Sequence, residues 1–369
     1  MYRFASLDEC EIKVMAPVPY FPPLRIHDKW YRFSQVKRKE VIDGFEIYHP
    51  RFIITPKLGM SFYGLFMFLS VFQTVYSIQK QYDFDLIDAH FVYPDGFAAV
   101  LLGHFFNKPV VISARGTDIN LYTKFPLIKK LLSFTLNRGD RIISVCTALK
   151  NEIVKLGIDS SKIAVIPNGV DSSKFYPIKK EEARKKLHLP SDKKIILSVG
   201  ELIPRKGFEV LIEAVHRLKY EYQEINLTFY IAGEGVYRNY LEERIDALGL
   251  NEVIDLVGAV DHKDLLWWYN AADIFCLASD REGWPNVIVE SLSCGTPVVA
   301  TNVWGIPEIV TSDNLGILVD RDEMKIAGGI LKALHKRWES SHFTEFAENN
   351  TWQRVAEMVH QEFSNILSR

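Results

Sequence analysis

Two carboxylates, Glu282 and Glu290, share the run Ala278-Ser-Asp-Arg-Glu-Gly-Trp-Pro-Asn-Val-Ile-Val-Glu-Ser-Leu-Ser-Cys-Gly-Thr-Pro-Val298. Glu290 falls in an apolar helical pattern with Val287, Ile288, Val289 and Leu292. A carboxylate turned toward an interior needs hydrogen-bond donors, and the vicinal hydroxyls of a ribose or sugar are suitable ones. Glu282 stands in the loop before that helix, near the amides of Gly283, Asn286 and Val287, where it could position a sugar or its phosphate. The plainer alternative makes Glu282 a helix-start acid answering the dipole and Glu290 a surface residue.

A second candidate is Ser198-Val-Gly-Glu-Leu-Ile-Pro-Arg-Lys-Gly-Phe208, which reads as a strand end, a turn and a helix start. Gly200 would let backbone approach an oxygen-rich ligand. Arg205 and Lys206, just before a helix N-terminus, would neutralise a diphosphate together with the helix amides. A solvated turn is the alternative. No Gly-Lys-Ser or Gly-Lys-Thr follows a glycine-rich run, so this is not a Walker loop. Gly233, in Ile231-Ala-Gly-Glu-Gly235, marks another strand-to-turn junction that could bring the chain close to a nucleobase or ribose.

These residues need a scaffold. At 369 residues, 48% hydrophobic and 24% charged, the chain is long and apolar enough for two domains and is not a disordered one. Short apolar runs at Ile12 to Val18, Leu86 to Asp88, Val110 to Ser113 and Arg141 to Val145 alternate with helix-length segments, the pattern of a parallel sheet covered on both faces. A second set follows at Lys194 to Val199, Leu227 to Ile231, Val253 to Val257, Ile274 to Ala278, Pro297 to Ala300 and Gly316 to Val319. The expected fold class is α/β, two doubly wound domains facing a cleft: residues 1–171, a linker with a short helix over 172–194, residues 195–342, and a C-terminal helix over 343–369 that could cross back to the first domain. Asp320-Arg-Asp322 reads as a helix cap rather than a metal-binding pair.

With these motifs in place the chain resembles family 4 of the retaining, nucleotide-sugar-dependent glycosyltransferases of GT-B fold. The resemblance rests on Glu282 and Glu290, on Gly295-Thr-Pro-Val298 and Gly305-Ile-Pro-Glu308 after them, and on Ile166-Pro-Asn-Gly-Val-Asp171, and it covers residues 11 to 366. It implies a nucleotide diphosphate sugar held by the second domain, a UDP-sugar being expected with GDP left open. Glu290 would take its ribose, Glu282 the transferred sugar and Lys206 the diphosphate. The acceptor would be a saccharide or lipid-linked saccharide held by the first domain. Transfer would retain the anomeric configuration, assisted by the leaving phosphate and with no metal or other cofactor required.

The chain also departs from that family. Glu201 stands where arginine usually follows the strand-end glycine, which leaves Arg205 to supply the charge. In Ser113-Ala-Arg-Gly-Thr-Asp-Ile-Asn120, Arg115 replaces a histidine; a guanidinium is no base, so its work would be electrostatic, with Asp118 orienting it or an acceptor hydroxyl. This version, with Asp88-Ala-His-Phe-Val-Tyr-Pro-Asp-Gly96 and Met15-Ala-Pro-Val-Pro-Tyr20, resembles the teichuronic acid biosynthesis branch; His90 is a candidate for the active site or a structural group. Only Met1 to Cys10 precede the first matched strand, so the family's opening strand and glycine loop are expected to be missing.

Charge and cysteine use set the surroundings. Residues 1–180 hold 24 Lys+Arg against 16 Asp+Glu, a net +8, and the rest of the chain carries −10. The basic half, the Lys37-Arg-Lys39 patch and an uncharged, aromatic helix between Lys57 and Lys80 fit contact with an anionic membrane, the alternative being a helix buried under the first sheet. Nucleic acid is not an expected partner, because the basic residues form no recognition helix or stacking module. Cys10, Cys146, Cys276 and Cys294 are widely spaced, which suits free thiols in a reducing compartment. Asp8, Glu9 and Glu11 interrupt any leader, so a cytoplasmic location, at the inner face of the plasma membrane, is expected. An epimerase on the same plan and a noncatalytic sugar-nucleotide-binding protein are the competing readings.

Overall fold

The computed structural model describes residues 10–21, 28–54, 59–222 and 226–368. By internal packing the chain divides into two units, Met1–Ile166 with Ala356–Arg369, and Pro167–Val355. The helix remnant expected over Met1 to Cys10 lies, up to residue 9, outside the described residues.

The second unit follows from alternation in its strands. Lys194–Val199 sends Ile195, Leu197 and Val199 into one buried cluster and Ile196 into another, so both faces of the sheet are covered. Six parallel strands line up in the order Ile254–Gly258, Leu227–Ala232, Lys194–Val199, Ile274–Leu277, Val298–Thr301, Gly316–Val319. In chain order this is 3-2-1-4-5-6, the doubly wound arrangement, and its switch point falls between Lys194–Val199 and Ile274–Leu277. The C-terminal ends of those two strands lead into Gly200 and into the loop of Ser279 and Glu282.

The first unit carries a four-stranded parallel sheet, Ile87–His90, Val110–Ala114, Arg141–Ser144, Ile163–Val165, in that order. The last of these strands escaped the sequence reading, as did the antiparallel pair Lys39–Ile42 and Phe45–Tyr48. The strand expected over Ile12 to Val18 is two short ones, Val14–Met15 and Val18–Pro19. Prolines 17 and 19 have no N–H to give, yet Ala16, Val18 and Tyr20 donate to Tyr48, Pro50 and Phe52 in turn, so the prolines fall on the side that pairs with nothing.

The short helix expected within residues 172–194 is Lys180–Lys186, and the single helix expected for the tail needs correction. Arg184, which is buried, fixes the first of these to the second unit by donating to Asp273 Oδ2 at 2.7 Å and to the carbonyls of Ala271, Ser191 and Lys193. A buried guanidinium holds its place only with such partners. The tail is two helices, Ser340–Asn349 and Trp352–Leu367. They break where Val170 bridges Thr351, its N–H bonding to Asn350 O while its carbonyl accepts from Trp352 N. In the first unit Glu362 of the last helix forms a two-point ion pair with Arg141.

The loops above the switch point pack backbone against backbone. A Cβ on Gly233, whose φ is +154°, would lie 1.8 Å from Gly200 O, whereas one on Gly200 would meet only side-chain carbons at 3.6 Å. Gly233→Ala should therefore destabilise the second unit by about 2–4 kcal/mol, and Gly200→Ala by less than about 1 kcal/mol. Urea unfolding checks this, and equal losses at the two positions would contradict it.

Candidate active site

Glu282 is 9% exposed, so its charge must be met by protein groups. Three donors converge on one oxygen: Lys206 Nζ at 2.6 Å, Ser279 Oγ at 2.8 Å and Arg205 Nη1 at 3.2 Å from Oε1. Arg205 also donates to Arg281 O at 2.7 Å, and Asp280 N returns a bond to Arg205 O, which ties the two loops together. The structure thus joins Arg205, Lys206 and Glu282 into one cluster.

Glu290 lies in the helix Asn286–Ser293 and is 8% exposed. Its Oε1 is 3.0 Å from His262 Nε2, and its Oε2 accepts from Tyr269 Oη at 2.9 Å. Burial first, and the Glu290 charge second, push the fully buried Tyr269 phenol well above its usual range, so it stays a donor. The His262 ring stands edge-on to Phe175, 5.1 Å between centroids. Neither His262 nor Tyr269 was picked out by the sequence, since no local spacing connects them to residue 290.

Pro285, the N-cap of the Asn286–Ser293 helix, makes no side-chain cap bond, and first-turn amides such as those of Asn286 and Val287 are suited to an anion. Asn286 is exposed and its Oδ1 accepts from Asn168 Nδ2 at 3.1 Å; Gly283 sits between this end and Glu282. Below the loops a cavity of about 180 Å³ is lined by Gly200, Glu201, Gly233, Glu234, Val260 and Leu265 among others. Gly200 and Gly233 thus border open space, but the need for glycine at 233 comes from the Gly200 carbonyl.

In the first unit His90 closes a strand and is held from both sides, Nε2 3.2 Å from Asp88 Oδ2 and Nδ1 2.7 Å from Arg115 Nη2. A guanidinium only donates, so Nδ1 accepts and the ring proton sits on Nε2 toward Asp88. Asp118, the candidate for orienting Arg115 or an acceptor hydroxyl, is 0% exposed and accepts from the amides of Val92, Gly116, Arg115 and Ile119, so it fixes the turn that carries Arg115. It clamps two turns, one holding Arg115 and the other following Phe91, whose φ of +83° is costly for a residue with a Cβ. Burial pushes the Asp118 carboxyl up against the pull of these amides.

Asp95, in the same turn, was not singled out as a site residue. Burial raises its pKa to about 6, its own backbone amide opposing and Asp118 adding to the shift.

Comparison with known proteins identifies the family. Residues 31–174 match the model of Glycosyltransferase Family 4 and residues 179–350 that of the Glycosyl transferases group 1. The chain belongs to this glycosyltransferase family and has its GT-B fold. Among its relatives, TuaC of Bacillus subtilis, a glycosyltransferase assigned to teichuronic acid biosynthesis, is 28% identical over 339 residues, 89% of this chain and 81% of TuaC. The glycosyltransferase MJ1607 of Methanocaldococcus jannaschii is 30% identical over 285 residues, 74% of this chain and 71% of that protein. Other curated relatives are matched over about half of their length. Among solved structures, Anabaena HepE in complex with UDP superposes with a TM-score of 0.74 at 20% identity, covering 86% of each chain.

Asp95 gives a test of the first unit. Its folded-state pKa lies above the ordinary 3.8, so between those values the folded chain holds a proton that the unfolded chain has released. Its contribution is then favourable at low pH and is lost as pH rises through about 6, a cost of about 2–3 kcal/mol at pH 7. The stability of Asp95→Asn relative to the parent chain should rise from pH 4.5 to pH 7 in urea unfolding; a difference that does not change with pH would contradict the shift.

Proposed function

We propose that this chain is a retaining glycosyltransferase that moves a hexose from a nucleoside diphosphate sugar, a UDP-sugar in particular, to a saccharide or lipid-linked saccharide in the building of a surface polysaccharide. The observation that carries this reading is the charge cluster of Lys206, Arg205 and Glu282, set in the loop that leads into the helix Asn286–Ser293, which holds the buried Glu290. It offers cations and amides for a diphosphate and a carboxylate for the diol of a ribose. The fold shared with HepE, which holds UDP in its solved structure, supports the choice of carrier, and the TuaC relationship supports a role in polysaccharide synthesis.

In this reading the ribose hydroxyls donate to Glu290, which His262 and Tyr269 hold in place. The diphosphate takes Lys206, Arg205 and the Asn286–Ser293 helix amides, and Glu282, relieved of part of its cationic company, turns to hydroxyls of the transferred sugar. The bond from the anomeric carbon to the phosphate oxygen breaks while the acceptor oxygen bonds to the same face. The acceptor proton passes to the departing phosphate oxygen. Charge that grows on the diphosphate is met by groups already in place, which is where such electrostatic catalysis gains most, and no resident cofactor enters. Arg115, His90 and Asp95 of the first unit serve the acceptor.

Calorimetry with UDP and GDP, followed by mass spectrometry of products formed from UDP-sugars and membrane lipid extracts, tests the reading. Glu290→Ala should weaken UDP binding by about 10- to 100-fold, the loss expected for hydrogen bonds to a buried charge. Glu282→Ala should keep UDP affinity within about threefold and lower transfer by about 100-fold or more. Unchanged affinity and transfer in both variants would refute the assignments, and an epimerised nucleotide sugar without glycosylated product would refute transfer.

A further inference from the structure

The helix Tyr63–Gln79 has no charged residue and is mostly apolar, its polar side chains being Ser70, Gln73, Thr74, Ser77 and Gln79 besides the tyrosines. Gly64, Met67, Val71 and Val75 are buried, the last three in a cluster with Phe52, Ala98 and Leu102. The opposite stripe faces solvent: Phe62 of the preceding turn is 55% exposed, Leu65 41%, Leu69 60% and Tyr76 43%. Large apolar side chains exposed at helical spacing on a continuous face are unusual for a surface that meets only water.

A second helix, Pro126–Arg138, packs against the turn Met60–Phe62 that begins the first. Phe97 lies between them, its ring 5.8 Å from that of Phe134 and in contact with the position of Gly64. Here Phe125, Leu127 and Phe134 are 47%, 56% and 40% exposed, interleaved with the exposed cations Lys124, Lys129, Lys130 and Arg138. The Arg138 guanidinium lies 5.6 Å from the Phe134 ring and Lys80 Nζ 4.5 Å from that of Tyr76. No acidic residue occurs between Glu46 and Asp83 or between Asp118 and Asp140, so both segments are purely cationic.

We infer that this two-helix face is a docking surface for an anionic lipid bilayer. Aromatic and aliphatic groups enter the interface, and lysine and arginine beside them meet lipid phosphates, the pairing of forces that holds proteins at negatively charged membranes. The first helix, with Met60–Phe62, is long and apolar enough to cross a bilayer. Crossing would withdraw Met67, Val71 and Val75 from their cluster, so the helix lies on the surface instead. The inference deepens the proposed use of a lipid-linked acceptor and rests on that reading for its purpose, while its physics stands on the exposed residues alone.

Flotation of the full chain with phosphatidylcholine vesicles, with and without phosphatidylglycerol, is the test. Binding is expected to need the anionic lipid and to fall with salt. The paired changes Leu65→Glu/Leu69→Glu and Lys129→Glu/Lys130→Glu should each weaken it by about tenfold or more. UDP affinity, read by calorimetry on the same variants, should not move, and circular dichroism should show intact folding. Absence of binding to anionic vesicles, or binding indifferent to both pairs, overturns the inference. So does a dimer in sedimentation that the leucine changes break while vesicles are ignored, since the face would then belong to a second copy. Vesicle binding by a chain that binds neither UDP nor GDP would leave the surface standing and remove the donor reading.

Discussion

A carboxylate withdrawn from water must be answered by fixed donors, and in the second unit two such carboxylates stand close to the sheet's switch point. Taking an ion out of water costs several kcal/mol even after the protein relaxes. Glu282 recovers this through Lys206, Arg205 and Ser279, and Glu290 through His262 and Tyr269. The need for these partners fixes much else. It places Arg205 and Lys206 in a short turn closed by Gly207, whose φ of +70° and contact with Ala278 O exclude a side chain. It also requires the loops after three neighbouring strands to bond to one another, Gly200 to Ala232, Leu202 to Glu234 and Gly233 to Gly258. An anionic ligand that offers oxygens to the cations and hydroxyls to the carboxylates exchanges one satisfied set of charges for another. The protein need not build the site anew.

The first unit meets the same demand with backbone. Asp118 satisfies its charge with amides alone and in return holds two turns that side-chain packing would not stabilise, including the positive φ at Phe91. His90, which is exposed, and the half-buried Arg115 are oriented by each other, and His90 also by Asp88.

Much of the architecture was legible in the residues. Apolar runs such as Lys194 to Val199 and Gly316 to Val319 coincide with strands because both sheet faces are buried and every position contributes. Lys39–Ile42 was missed for the converse reason: Lys39, Val41 and Ile42 are exposed and Glu40 is half-buried, so no periodic signal arises. The tail was read as one helix because periodicity continues through the break, which is set by the distant Val170. Glu282, Lys206, Arg205 and Glu290 were legible as chemistry from local context. His262, Tyr269 and Ser279 were not, since their relation to the carboxylates exists only once strands have been ordered in the sheet. The tie of Asp118 to Arg115 was legible in their spacing, while its full burial and its bond to the Val92 amide were not, since they depend on how the turns pack. Cys146, Cys276 and Cys294 are buried and Cys10 is half-buried, with no disulfide among the described residues; Cys146 also caps Thr147–Lys155, its sulfur accepting from Leu149 N.

The central claim is that the second unit grips an activated sugar by its diphosphate and ribose, and a crystal structure of the chain with UDP bound tests it most directly. The account predicts ribose hydroxyls within hydrogen-bond distance of Glu290 and phosphate oxygens on Lys206 and the amides that open the Asn286–Ser293 helix. Density for the nucleotide away from these residues, with Lys206 still held by Glu282 and Glu290 untouched, would contradict it.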